Sequence, residues 1–189
     1  MLSIPPFSGL ETPRLRLRHF REQDLPSLLR YRNDPDVARF QSWDSMTEDF
    51  GRLFIAEMSE SHPGVPGYWF QFAIELRATG QHIGDCALHT HGEDARLGEI
   101  GYTLDPAFQG KGYAREAAAA MLDYAFTVQH MHRITASVDV QNDRSIALLE
   151  WLGMRREGHF LQCAWFSGHW CDEYLYAMLS GEWALRRQL

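Results

Sequence analysis

The chain has 189 residues, 45% of them hydrophobic and 23% charged, with a formal net charge of −7 at pH 7. This is the composition of a folded globular protein, and it argues against disordered, collagen-like and coiled-coil classes. The negative balance disfavours a broad grip on nucleic acid or anionic lipid, because no global positive field draws phosphates in, although a local basic patch for a phosphate-bearing cofactor is compatible with it.

At the amino terminus there is no basic n-region, and Pro5 and Pro6 interrupt any apolar run. Residues 14–20 alternate charged and apolar side chains, the period of a strand with one wet face. Arg14, Arg16 and Arg18 are expected on the solvated face of an edge strand. Residues 24–32 read as a short helix with Leu25, Leu28 and Leu29 on one side, ended by Asn33-Asp34-Pro35. Thr47 is placed to cap a second helix running to about Ser59, with Phe50, Leu53, Phe54 and Met58 inward. Two prolines and two glycines make residues 62–67 a loop.

Two strand-like runs, 68–76 and 82–89, read as a hairpin around Gly80, and a third, 99–104, stops at Asp105-Pro106. Residues 112–127 are strongly helical, with small alanines that permit close approach to a sheet. A strand over 133–140, a helix over 142–152 closed by Gly153, and a hairpin of 160–166 and 170–178 around Ser167-Gly168 complete the order, with room for a tail helix after Ser180. Helices interspersed with strands in this order predict an α/β fold, a mixed sheet with helices packed on it.

The length suits one domain with a sizeable core and is marginal for two, so residues 1–189 read as a single domain. Cys86, Cys163 and Cys171 are odd in number and lack a CxxC spacing, which fits reduced thiols. No apolar run reaches the ~18 residues of a membrane span. A soluble, cytoplasmic protein is expected.

The stretch richest in chemistry is Gln109-Gly110-Lys111-Gly112-Tyr113-Ala114, between a strand and a helix start. The first amides of a helix have no partner inside it, and the helix dipole favours negative charge there, so a Gly-rich turn at this place is a phosphate cradle. It is not a P-loop, because Gly112 rather than a hydroxyl residue follows Lys111. Nor is it a dinucleotide fingerprint, whose third glycine would fall on Arg115. A Gly-rich connection that binds nothing is the competing reading.

Gln109-x-x-Gly112-x-Ala114, after a strand ending Gly101-Tyr102-Thr103-Leu104-Asp105-Pro106, resembles the acetyl-CoA motif of the GCN5-related N-acetyltransferases (GNAT). Glu11-Thr12-Pro13-Arg14-Leu15, Arg32-Asn33-Asp34-Pro35 with Val37, and Asn142-Asp143-Arg144-Ser145 leading to Leu152-Gly153-Met154 resemble the subgroup that includes the Rim-type ribosomal-protein N-terminal acetyltransferases. The resemblance runs from about residue 10 to about residue 180.

It implies a mixed, mostly antiparallel sheet splayed between strands 99–104 and 133–140, with the pantetheine arm of acetyl-CoA between them. Gln109, Gly110, Lys111, Gly112, Tyr113 and Ala114 would hold the pyrophosphate. Backbone groups at Tyr102, Thr103 and Leu104 would pair with the arm, and Asn142 would touch it or simply cap the helix. Ser145 would protonate the departing sulfur, and Glu99 would act as base, directly or through water. Two departures stand out: Leu149 occupies the place where many members have a tyrosine acid, and Ala164 the place where some Rim-type members carry a glutamate.

The implied acceptor is a primary amine, either a peptide α-amine or a small amine such as an amino acid, polyamine or drug. A non-catalytic acyl-CoA sensor is the alternative from another class, and the assembly implied is a monomer or homodimer. No metal is expected, since His89-Thr90-His91 and His130-Met131-His132 lack a third ligand at a recognisable offset. Trp43, Trp69, Trp165 and Trp170 are candidates for the acceptor wall or the core.

Overall fold

Alternation in the amino-terminal strand places Leu15 and Leu17 in the core, fully buried, and the sheet extends from that strand on both sides. In the computed structural model, which describes residues 7–41, 45–166 and 168–188, eight strands form one sheet. They are β1 (Leu10–Glu11), β2 (Leu15–Arg18), β3 (Trp69–Leu76), β4 (His82–Thr90), β5 (Leu97–Leu104), β6 (Arg133–Asp139), β7 (Arg155–Phe166) and β8 (His169–Leu179). The spatial order is β1-β2-β3-β4-β5-β6-β8-β7. Every neighbouring pair is antiparallel except β5–β6, which is parallel.

Among the described residues six α-helices accompany the sheet: α1 (Leu25–Arg32), α2 (Pro35–Ala38), α3 (Glu48–Glu60), α4 (Tyr113–Thr127), α5 (Asp143–Trp151) and α6 (Ser180–Arg186). One face carries the larger core, in which Phe70, Phe72, Ile74, Leu88 and Ile100 meet Ala117, Ala118, Met121 and Leu122 of α4. The other face packs Phe20, Leu25, Leu28 and Tyr31 against Ile55 and Met58 of α3. Among the described residues, no helix is long and apolar enough to cross a membrane.

Three expectations need correction. The strand of arginines is not the edge, because β1 pairs on its outer side. Arg18 is buried at 4% exposure, with Nη1 and Nη2 2.7 and 2.9 Å from the Asp24 carboxylate and Nε 2.6 Å from Glu75. Its alternation is that of a solvated face, but two carboxylates neutralise it inside. Helix α3 turns Phe50 and Leu53 to solvent, at 56% and 69% exposure. It packs instead through Gly51, Ile55 and Met58, and Gly51 allows this: a Cβ there would lie 2.7 Å from Leu25 Cδ1. Finally, β7 begins at Arg155, five residues before the expected 160, and a further short helix, α2, starts at Pro35, capped by Asp34.

Thr47 caps α3 through the Phe50 amide as expected. A buried polar layer ties α1 to the sheet: Tyr31 donates to Asp85, and Arg32 Nη2 lies 3.0 Å from the same oxygen and 2.6 Å from Gln71 Oε1.

Candidate active site

The parallel pair β5–β6 is in register only from Leu97↔Arg133 to Glu99↔Thr135. Both strands continue, β5 to Leu104 and β6 to Asp139, and among the described residues no strand pairs with β5 on that side. The carboxyl ends of two parallel strands therefore part. Backbone groups alternate between the two edges, so Ile100 and Tyr102 offer unpaired polar groups on the open edge; the expected Thr103 does not, because its backbone faces Asp85 of β4, and the Leu104 carbonyl is taken by Gln109.

Both strands run toward helix amino termini at this opening. After β5, a 3-10 turn at Pro106–Phe108 leads to Gly112, the N-cap of α4, with φ +80°. Gly112 has no side chain with which to cap, and the first intrahelical bond is Glu116 N–H to the Gly112 carbonyl, 3.1 Å. Lys111 closes a turn over residues 109–110, and among the described residues no acceptor takes the amides of residues 112–115. Open N–H groups at the positive end of a 15-residue helix have the chemistry to accept an anion.

The cradle is braced from the amino-terminal strand. Arg14 spans Glu116 (Nε to Oε2, 2.6 Å) and the Lys111 carbonyl (2.9 Å), and lies over the Tyr113 ring at 4.6 Å. Thr12 Oγ1 donates to Glu116 Oε1 at 2.6 Å. Burial alone would raise the Glu116 pKa, but these donors outweigh it and hold the carboxylate low. Lys111 Nζ folds onto the Ala107 carbonyl, 2.8 Å, with its cation over Phe108. Gln109 is a strut: Nε2 donates to the Leu104 carbonyl (2.9 Å) and Oε1 accepts from Arg144 (2.6 Å).

Helix α5 begins at the end of β6. Asn142 caps it, Oδ1 accepting from the Ser145 amide at 3.1 Å. The cap sets Ser145 in the first turn beside β5, where its Oγ is 2.8 Å from Tyr102 Oη. Ile100, Tyr102 and Leu104 face the α4–α5 core, so by strand alternation Glu99, Gly101 and Thr103 face the other side.

On that side Trp69, His89, Glu99 and Thr135 stand in one row across β3 to β6. The His89 ring stacks on Trp69 at 5.0 Å and meets His91 at 5.3 Å. Burial pushes the Glu99 pKa up, His91 draws it down, and the Glu173 carboxylate pushes it up further. Burial and the neighbouring His91 keep His89 below its usual value. The parting of β5 and β6 is thus flanked by a serine–tyrosine hydroxyl pair on one face and a shielded carboxylate on the other. This arrangement suits a reaction that needs a proton taken at one place and given at another.

The sequence places residues 14–155 in a match to the acetyltransferase (GNAT) domain model. The chain belongs to the GNAT acetyltransferase family. It is 33% identical over 175 residues to the uncharacterized N-acetyltransferase YnaD of Bacillus subtilis, covering 92% of this chain and 98% of that protein. The crystal structure of a GNAT-family acetyltransferase from Bacillus anthracis superposes with a TM-score of 0.81 at 33% identity, covering 92% and 99% of the two chains. Two shorter matches name acceptors. The ribosomal protein uS5-alanine N-acetyltransferase of Escherichia coli is 37% identical over 84 residues, 44% of this chain and 43% of that one. A spermidine N(1)-acetyltransferase of Vibrio cholerae is 35% identical over 77 residues, 41% and 44%.

GNAT acetyltransferases use acetyl-CoA, and the opening in this GNAT sheet brings the expected residues 102–104, 109–114, 142 and 145 around one crevice. Glu99 sits at its base on the opposite face. Trp69, Trp165 and Trp170 are 41%, 57% and 56% exposed, so none is core, and only Trp69 joins the Glu99 row. Trp43 lies outside the described residues. Leu149 is buried, and Ala164 pairs with Cys171 in the β7–β8 hairpin.

Glu173 was missed: it lies on β8, far in sequence from Glu99, and the sequence alone offers no second carboxylate for that face. The hydroxyl of Tyr102 and the Thr12–Arg14–Glu116 brace were missed as well. The brace joins residues 102 and 104 positions apart, and no local pattern reports it. Among the described residues no group of three His, Cys, Asp or Glu side chains is placed to hold a metal ion.

Proposed function

We propose that this GNAT transfers the acetyl group of acetyl-CoA to the α-amine of a peptide. The observation that carries the reading is the parting of β5 and β6 beneath two helix amino termini, one of them the open-amide cradle at Gly112. The cradle amides and Lys111 take the pyrophosphate, and the free backbone groups of Ile100 and Tyr102 pair with the pantetheine amides. Arg144, held by Gln109, adds a cation at the rim.

Glu99 takes a proton from the acceptor ammonium, freeing the lone pair that attacks the thioester carbonyl. A new N–C bond forms, the nitrogen sheds its second proton to solvent, and the C–S bond breaks. Ser145 gives its hydroxyl proton to the departing sulfur and recovers one from solvent.

Proton chemistry supports an α-amine. Its pKa of about 7.7–8.0 leaves a useful neutral fraction at pH 7, whereas a lysine amine near 10.4 costs roughly 4–5 kcal/mol to deprotonate there. The similarity to the uS5-alanine acetyltransferase points the same way. A second reading, a small polycationic amine, draws on Glu173 beside Glu99 and on the similarity to the spermidine enzyme. Rates with a lysine-free peptide bearing a free amino terminus, a terminally blocked peptide with one lysine, and spermidine separate them. The free-terminus peptide is expected to be the best substrate near pH 7. A faster blocked peptide refutes the α-amine reading, and a faster polyamine establishes the second one.

A further inference from the structure

Tyr102 stands on β5 in the stretch that has left β6, with its ring toward the α5 side. Its Oη lies 2.8 Å from Ser145 Oγ and 3.2 Å from the Ser145 carbonyl oxygen. The carbonyl only accepts, while each hydroxyl has one proton to give and also accepts. Two proton arrangements are open to this pair, and only the first fills both contacts. In one, Tyr102 donates to the Ser145 carbonyl, and Ser145 Oγ–H donates to Tyr102 Oη. The serine proton is then committed. In the other, Tyr102 donates to Ser145 Oγ, and the serine proton is free to point into the crevice. Only the second presents Ser145 as a donor.

We propose that Tyr102 is a positioning residue for acetyl transfer, its phenol donating to Ser145 Oγ so that the serine proton is directed at the departing sulfur. The inference rests on the reading of Ser145 as proton donor. A serine hydroxyl is a weak acid by itself, and such groups act when a neighbour orients them and shares the charge that develops. As the C–S bond breaks, its electron pair goes to sulfur, sulfur takes the Ser145 proton, and the charge left on Oγ is held by the Tyr102 O–H until solvent restores the proton. Burial pushes the Tyr102 pKa up, more than the Ser145 contact draws it down, so the phenol keeps its proton throughout the working range. The Ser145 carbonyl gives the phenol a second acceptor when no sulfur is present. Cofactor arrival therefore exchanges hydrogen bonds without leaving a hydroxyl unpaired.

Tyr102→Phe removes the hydroxyl and keeps the ring. The experiment measures kcat, KM for acetyl-CoA and the solvent deuterium isotope effect, with CoA affinity by calorimetry. All are taken in the wild-type and Ser145→Ala backgrounds. In the wild type, kcat is expected to fall about 3- to 10-fold, the loss of one net hydrogen bond. CoA affinity should stay within about twofold, and the isotope effect should change because one hydroxyl has left the proton path. In Ser145→Ala, the same substitution should cost less than about 1.5-fold, since the phenol acts through the serine.

Equal losses in both backgrounds overturn the proposal and make Tyr102 a brace between β5 and α5. So does an unchanged kcat in the wild-type background. A weakened CoA affinity that accounts for the whole loss does the same. If Ser145→Ala by itself leaves kcat unchanged, the donor reading of Ser145 fails, and that result is distinct from any outcome at Tyr102.

Discussion

Gly112→Val tests the cradle most sharply. The residue sits at φ +80° and ψ 5°, where an L side chain costs roughly 1–2 kcal/mol. An added Cβ would lie 3.3 Å from Arg14 Nη2, so the guanidinium must shift by a few tenths of an ångström. It can, because the Arg14 side chain is half exposed and anchored mainly through Nε to Glu116. The fold should therefore persist with a melting temperature lower by about 2–8 °C, at about 2–4 °C per kcal/mol for a chain of this size.

Affinity should suffer more. A pyrophosphate kept off the amides loses at least one charge-assisted hydrogen bond worth about 1.5–3 kcal/mol, which is a Kd weakened about 10- to 150-fold. Gly110→Ala is the matched control: φ is +74°, and a Cβ there meets nothing within 4 Å. Its thermal melt reports the backbone cost of a side chain at positive φ without a clash. Calorimetric titration with CoA, beside thermal melts of both variants, makes the comparison. A Gly112→Val protein that is folded and binds CoA within threefold of wild type refutes the cradle.

Ser145→Ala should lower kcat by about 10²–10⁴-fold with little change in KM for acetyl-CoA, because a proton donor acts in the transition state; steady-state kinetics giving a drop under threefold would assign the proton to water. Glu99 must be ionised to act as base, and burial holds its pKa above the ordinary value of about 4.3, so kcat/KM should fall as pH drops through that raised pKa. Glu99→Gln should remove this acid limb from the pH–rate profile and leave that of the acceptor amine; an unaltered limb rules Glu99 out. Arg18→Met takes the guanidinium from the buried Asp24 and leaves Glu75 only the exposed Arg16 and Arg21, and should cost about 3–5 kcal/mol in urea unfolding at pH 7.

The same salt bridge has a pH signature. Burial alone would raise the Asp24 pKa, but Arg18 and the other partners hold it low. Its stabilisation is full above the unfolded value of about 3.9 and is lost as pH falls through the lower folded one. The Arg18→Met penalty should therefore shrink below about pH 4; a penalty independent of pH would mean that packing, not charge, sets it.

Much of this was legible in the sequence because it rests on local chemistry. Alanines at helical spacing marked α4, Thr47 and Asn142 marked helix starts, and the paired glycines marked the turn into α4. The parting of β5 and β6 was legible only through the family resemblance, since where two strands cease to pair is a matter of register. Contacts between distant segments were hidden. Arg18 looks solvated until Asp24 and Glu75 are brought to it, and Glu173 reaches the Glu99 face only when β8 pairs with β6. The exposed Phe50 and Leu53 mislead for a related reason: the seam of α3 is set by the close approach that Gly51 permits, and an apolar count cannot see a glycine.

The most direct test is release of free CoA thiol from acetyl-CoA by the intact chain, followed together with the mass of a lysine-free peptide bearing a free amino terminus. Thiol release should depend on the peptide, one acetyl group should be gained at its α-amine, and both signals should be lost in Ser145→Ala. Tight CoA binding with no thiol release over peptides, amino acids and polyamines would contradict this and leave an acyl-CoA-binding protein without transferase chemistry.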